Sequence, residues 1–155
     1  MTIDEAIAAA EIAVRTVPRH HPERAKSFDL LSRLLSRKPS SMQSFDNITT
    51  ACKWAEVPVR VVRDDDPEKA LFLGNPCNRY HALFDMTSDS SDLHRAIGIQ
   101  AANIFKAPRD PLTNSWLTTL GQYCMSLYEI NHDSAFLEAA ISAHRVAVTL
   151  FHPLN

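Results

Sequence analysis

The sequence predicts an all-α solenoid, and three observations carry that expectation. Prolines recur at Pro22, Pro67 and Pro111, 45 and then 44 residues apart, and each opens a stretch with apolar residues at helical spacing. The pair Ala-Ile recurs at Ala6-Ile7, Ala96-Ile97 and Ala140-Ile141, the last two again 44 residues apart. Only three glycines occur in 155 residues, against plentiful Ala, Leu, Ile and Ser, which disfavours a glycine-turned β-sandwich.

Each element follows from local chemistry. Proline suits the first helical position, where its missing N–H would have no partner and its fixed φ is already helical. Helices are therefore expected over 22–37 with Phe28, Leu31, Leu34 and Leu35 inward, over 67–86 with Leu73, Tyr80, Leu83 and Phe84, and over 111–130 with Trp116, Leu117, Leu120, Cys124 and Leu127. Helices rich in small residues are expected between them, over 2–17, 43–57, 90–106 and 134–151. Pro18, Pro108 and Pro153 follow three of their ends, where proline cannot continue a helix. Arg19 to His21, Arg63 to Asp66 and Arg109-Asp110 form turns, while Ser88 to Asp92 and Asn131 to Ser134 offer N-cap side chains. The expected whole is one domain over 1–155, with units over 1–18 (partial), 22–58, 67–108 and 111–153.

Three departures from the repeat are expected to leave marks. Between Lys38 and Met42 the first unit is short and carries Pro39, so a helix end or loop is trimmed there. Asn47 falls at the small-residue position unless the helix slips by one, and slippage suits Ala51 and Pro58 better. Pro76 lies inside a helical run, where it costs about 3 kcal/mol or a kink, so a bend is expected over 70–75.

This plan resembles the tetratricopeptide repeat family, in its long-helix variety of about 42 to 45 residues found in kinesin light chain and in large fungal arrays. The family's Leu-Gly followed by an aromatic or apolar residue stands here as Leu120-Gly121 with Tyr123 and Cys124, and its small-residue second helix as Ala140, Ile141 and Ala147. Equivalent positions hold Leu31-Ser32 and Pro76-Cys77, a degenerate form of the pattern. The resemblance implies a right-handed superhelix of about seven antiparallel helices. It also implies a non-catalytic scaffold or adaptor that binds a protein, peptide or helix in a concave groove, without a cofactor. The groove-facing polar positions would be Arg33, Asn78 and Gln122, flanked by Lys26, Asp29, Ser115 and Thr118. The basic pattern that clamps a chaperone tail is incomplete. Nucleotide-binding switch and CHAT domains, which often accompany such arrays, are not found in this sequence.

The chemistry-bearing residues give little support to catalysis. His20, His21, His81, His94, His132, His144 and His152 form no H-x-x-x-H or H-E-x-x-H pair. A hydrolase or metal enzyme built from His81, His94 and a cysteine is the opposing hypothesis. Cys52, Cys77 and Cys124 are odd in number and lack a C-x-x-C pair; Cys52 and Cys124 sit on apolar stripes and Cys77 at a close helix crossing. Asp64-Asp65-Asp66 lacks the ligand spacing of a calcium loop and suits the positive end of a helix dipole. There is no phosphate-binding loop and no Gly-x-Ser-x-Gly elbow.

Charge narrows the partners. Sixteen basic residues against eighteen acidic ones remove the clustered positive surface of a nucleic-acid binder. No stretch approaches the roughly 20 apolar residues of a membrane span, and Met1-Thr2-Ile3-Asp4-Glu5 does not open a signal segment, so a cytoplasmic protein is expected. The terminal helices are unpaired in this plan, so Ile7, Ala10, Val14, Leu150 and Phe151 are expected to stay partly exposed, which predicts either self-association or a missing neighbour from a larger array.

Overall fold

A computed structural model describes residues 1–151. Within them the chain forms seven helices and no strand: α1 (Ile3–Thr16), α2 (Pro22–Ser36), α3 (Phe45–Val61), α4 (Lys69–Thr87), α5 (Ser90–Lys106), α6 (Thr113–Asn131) and α7 (Ser134–Phe151). Each packs mainly on its neighbours in sequence, and α2 also touches α4. The core divides accordingly into successive clusters. Ile7, Ala10, Leu31, Leu35 and Ala51 join α1 to α3; Cys52, Tyr80, Leu93, Tyr123 and Leu127 join α3 to α6; Leu117, Ala143 and Ala147 join α6 to α7. Contacts confined to neighbours are the mark of a stacked helical array.

The repeat seen in the proline spacing is a repeat of hydrogen bonds. Ser88 and His132, 44 residues apart, both end a helix in the left-handed region, at φ 57° and 55°. Their N–H groups donate to Phe84 O and Tyr128 O, each at 2.7 Å. The next residues, Asp89 and Asp133, then accept from the N–H of Ser91 (2.9 Å) and Ala135 (3.0 Å). Asp66 and Asp110 likewise accept from Glu68 N and Leu112 N, each at 2.8 Å.

A second device spans all three units. The residue two past each opening proline reaches back to the last carbonyl of the preceding helix, which has no partner inside that helix. Arg24 Nη1 donates to Val17 O (2.7 Å), Lys69 Nζ to Val62 O (2.9 Å) and Thr113 Oγ1 to Ala107 O (2.7 Å). Val17, Val62 and Ala107 are the C-caps of α1, α3 and α5.

Small residues set how closely the helices cross. Ser32, Cys77 and Gly121 are all buried at the equivalent position. Ser32 Oγ donates to Ala51 O across the crossing at 2.7 Å. A Cβ on Gly121 would lie 2.6 Å from His144 Nε2, so the approach of α6 to that ring needs glycine unless the ring moves. Within the second unit Asn103 Nδ2 donates to Leu73 O (2.6 Å), and between units Gln100 Nε2 donates to Trp116 O (3.2 Å), both buried.

Several expectations need correcting. Helix α3 does not stop at 57; it runs through Pro58 to Val61, because Pro58 is buried in the packed face and its own carbonyl still accepts from Val62 N at 3.0 Å. Helix α4 begins at Lys69 rather than at 67 and continues through the buried Pro76 to Thr87. The trimming after Lys38 falls on the end of α2, while α3 begins 45 residues before α5, so the unit keeps its length and only the helix is shorter. The slipped register holds, with Ala51 fully buried. Ile7 and Ala10 are buried against α2 rather than left open, whereas Leu150 is exposed. The side chain of Phe151, together with His152 and Pro153, lies outside the described residues.

Left-handed backbone disfavours side chains with a Cβ. Ser88→Gly is therefore expected to raise stability by about 0.5–1 kcal/mol in urea unfolding. His132→Gly should gain less, because the His132 ring packs edge-on against Tyr128 at 6.0 Å. A loss in Ser88→Gly would show that the serine side chain contributes more than the strain it carries.

Candidate functional site

Helices α2, α4 and α6 share one side of the stack and enclose a cleft of about 350 Å³. The wall from α2 is Arg33, Ser36 and Arg37, at the i, i+3, i+4 spacing of one helical face. The floor comes from α4, with Leu71, Asn75, Asn78, Arg79 and Ala82, and Trp116 of α6 closes the far side.

The electrostatics are lopsided. Three guanidinium groups, Arg33, Arg37 and Arg79, line the cleft and no acidic side chain does. One carboxylate stands behind the wall: Asp29, 8% exposed, takes Arg33 Nε on one oxygen at 2.8 Å and Asn75 Nδ2 on the other at 2.8 Å. Burial lifts the Asp29 carboxyl above its ordinary value, opposed by the Arg33 and Arg79 charges and the Asn75 bond. Burial, and then the like charge of Arg33, push the Arg79 guanidinium below its ordinary value. Arg79 Nε and Asn75 Oδ1 are both buried and have no hydrogen-bond partner among the described residues. Unpaired buried polar atoms of this kind are costly.

The residues singled out from the sequence are only partly gathered here. Arg33 and Asn78 line the cleft. Asn78 Oδ1 also accepts from Tyr123 OH at 3.1 Å and faces Cys77 Sγ at 3.8 Å, so its amide is held from two sides. Asp29 positions Arg33 and Asn75 instead of flanking the groove as an exposed group. Lys26 is turned to Glu23 (3.1 Å) and Glu68 (3.6 Å), away from the lining. Ser115 and Gln122 are exposed outside the cleft, and Thr118 Oγ1 bonds its own helix at Asn114 O. Arg37, Asn75, Arg79 and Trp116 were missed. Asn75, Asn78, Arg79 and Ala82 follow i, i+3, i+4, i+7, so reading the whole helical face around Asn78 would have added Asn75 and Arg79.

The remaining candidates are accounted for by local bonds. Asp65 pairs with Arg63, Asp64 with Lys69, and Asp66 accepts from Glu68 N in the turn before α4. His81 stacks on Tyr123 with ring centres 4.5 Å apart, and His94 Nδ1 lies 2.8 Å from Ser90 O. Cys52, Cys77 and Cys124 are buried, and burial pushes the Cys52 and Cys77 thiols up to about 12 and raises Cys124 as well. Among the described residues no group of three or more His, Cys, Asp or Glu is placed to hold a metal ion. No helix among them is long and apolar enough to cross a membrane.

Comparison with known proteins adds one likeness. No family model matches the chain, and no curated protein does. A solved structure from Podosopora anserina, described as kinesin light chain nearly identical TPR-like repeats, is similar over 92% of this chain and 87% of its own, at 14% identity and a TM-score of 0.41. A TM-score of 0.41 is too low to carry an assignment, so fold and site rest on the helices themselves.

The thiols give a direct test of the packing around the cleft floor. Cys52 and Cys77 should resist alkylation in the folded protein near pH 8 and react on unfolding, since only the thiolate attacks. Their raised values also set a pH trend: the unfolded thiols ionise near 9 and the folded ones near 12, so stability should fall as pH rises through that interval. Fast native alkylation of Cys77 would contradict its burial.

Proposed function

We propose that this protein is a non-catalytic interaction module that holds an acidic, extended segment of a partner protein in the α2–α4–α6 cleft. The observation that supports this most is the convergence of three guanidinium groups with no acidic side chain in the lining. Arginine pairs a carboxylate through two parallel N–H donors, and such bonds are strengthened where water is excluded. Arg79, pressed between burial and Arg33, gains most from an incoming anion. Asn75 and Asn78 add amides that can bond a peptide backbone in either direction. Leu71 and Trp116 offer apolar surface on which a side chain between two acidic residues can rest. A cleft of about 350 Å³ takes a few side chains of a segment and not the face of a globular domain.

Fluorescence anisotropy with labelled ten-residue peptides tests this. A glutamate-rich peptide with one aromatic residue should bind saturably and weaken as salt rises, while its lysine-for-glutamate counterpart should not bind. Arg37→Glu, at an exposed position with no part in the core, is expected to reduce affinity at least tenfold with the melting temperature unchanged. Equal binding of both peptides, or full binding by Arg37→Glu, would contradict the reading.

A further inference from the structure

The charges of the α2–α4–α6 cleft do not balance within the chain. Arg33, Arg37 and Arg79 line it, and Asp29, which takes Arg33 Nε at 2.8 Å, offsets one of the three. Neither Arg37 nor Arg79 forms an ion pair among the described residues. Two positive charges are thus left in a space of about 350 Å³, which admits only a few side chains. A glutamate brings one negative charge to such a space. A phosphorylated side chain brings about −1.5 to −2 at pH 7, with three strong acceptor oxygens for guanidinium N–H groups.

Two amides beside the arginines have complementary free ends. Asn75, 4% exposed, spends Nδ2 on Asp29 Oδ1 at 2.8 Å, and its Oδ1 has no donor among the described residues. Asn78, exposed, is the reverse: its Oδ1 accepts from Tyr123 OH at 3.1 Å, and Nδ2 makes no hydrogen bond among the described residues. The bonds to Asp29 and Tyr123 fix which end of each amide is free, so the pair offers one acceptor and one donor. An extended residue shows its own N–H and C=O along one edge, which is the matching pair. The amides therefore favour an anion carried on a peptide over a free one.

We infer that the cleft is a phosphopeptide site, in which one phosphorylated side chain of an extended partner segment sits among Arg33, Arg37 and Arg79 while Asn75 and Asn78 hold its backbone. This rests on the cleft being the site of an acidic segment, and it names the group that carries the charge. Binding is then switched by modification of the partner, since the unmodified serine or threonine has nothing to offer the arginines.

Fluorescence anisotropy on the full chain compares three labelled ten-residue peptides that differ only at one central position, phosphoserine, glutamate or serine, with one aromatic residue beside it and no other charge. The phosphoserine peptide should bind roughly tenfold tighter than the glutamate peptide, and the serine peptide should not bind. Arg79→Lys keeps the charge and loses the two-pronged donor, so it should weaken the phosphoserine peptide roughly tenfold. Arg79 is partly buried; if that variant loses helicity, Arg37→Gln, at an exposed position, takes its place with the same expected loss. Equal affinity for phosphoserine and glutamate would overturn the inference and leave the acidic-segment site standing. Failure of these peptides and of the glutamate-rich peptide alike would remove that site as well. Phosphoserine binding untouched by Arg37→Gln would overturn the inference by placing the peptide elsewhere. Displacement of the peptide by inorganic phosphate at the peptide's own concentration range would do so by assigning the site to a free anion.

Discussion

The carbonyl that each short-residue helix leaves open at its C-terminus is the constraint around which the stack is organised. Val17, Val62 and Ala107 end α1, α3 and α5, and each is met by a side chain two residues beyond the next proline: Arg24, Lys69 and Thr113. The bond ties the end of one helix to the first turn of the next, so that at each junction between units an open carbonyl is satisfied by the following unit. Chemically the three donors are unlike, a guanidinium, an ammonium and a hydroxyl, yet they perform one task. That explains why the 44–45-residue period persists although few residues repeat in kind.

Regular stacking has a consequence for charge. It brings α2 next to α4 and sets the cleft lining of α2, α4 and α6 along one side, so polar residues that are separate in sequence share a concave surface. Arg33, Arg37 and Arg79 meet there with Asp29 as their one counter-charge behind the wall. Asp29 is committed to Arg33 and Asn75, which holds those two side chains in place, while Arg79 Nε is buried without a hydrogen-bond partner among the described residues. In the proposed reading, an acidic segment would meet groups already held in place before binding, which lowers the ordering cost of association.

The sequence made the helices legible because proline and small residues act locally. Pro22, Pro67 and Pro111 mark helix starts within two residues, and Ala51, Ala96 and Ala140 mark the buried faces. What proline does inside a helix was harder to foresee. Pro58 and Pro76 are tolerated because they are packed in the core, and tertiary burial outweighs the lost backbone bond. The site was half legible: one polar position per unit located Arg33 and Asn78 but not the fate of Asp29, whose burial depends on α4 lying against α2. Arg37 and Arg79 escaped because a single position per unit samples one point of a groove, while the groove is formed by a whole helical face.

The central claim, that the chain acts through an arginine-lined cleft, is tested most directly by mapping where an acidic peptide binds in two-dimensional amide NMR. Chemical-shift changes concentrated on 33–37 of α2 and 71–82 of α4, with the Trp116 indole N–H moving in parallel, are the expected result. Changes spread over α1, α3 and α5, or confined to the chain ends with 33–37 and 71–82 silent, would contradict it.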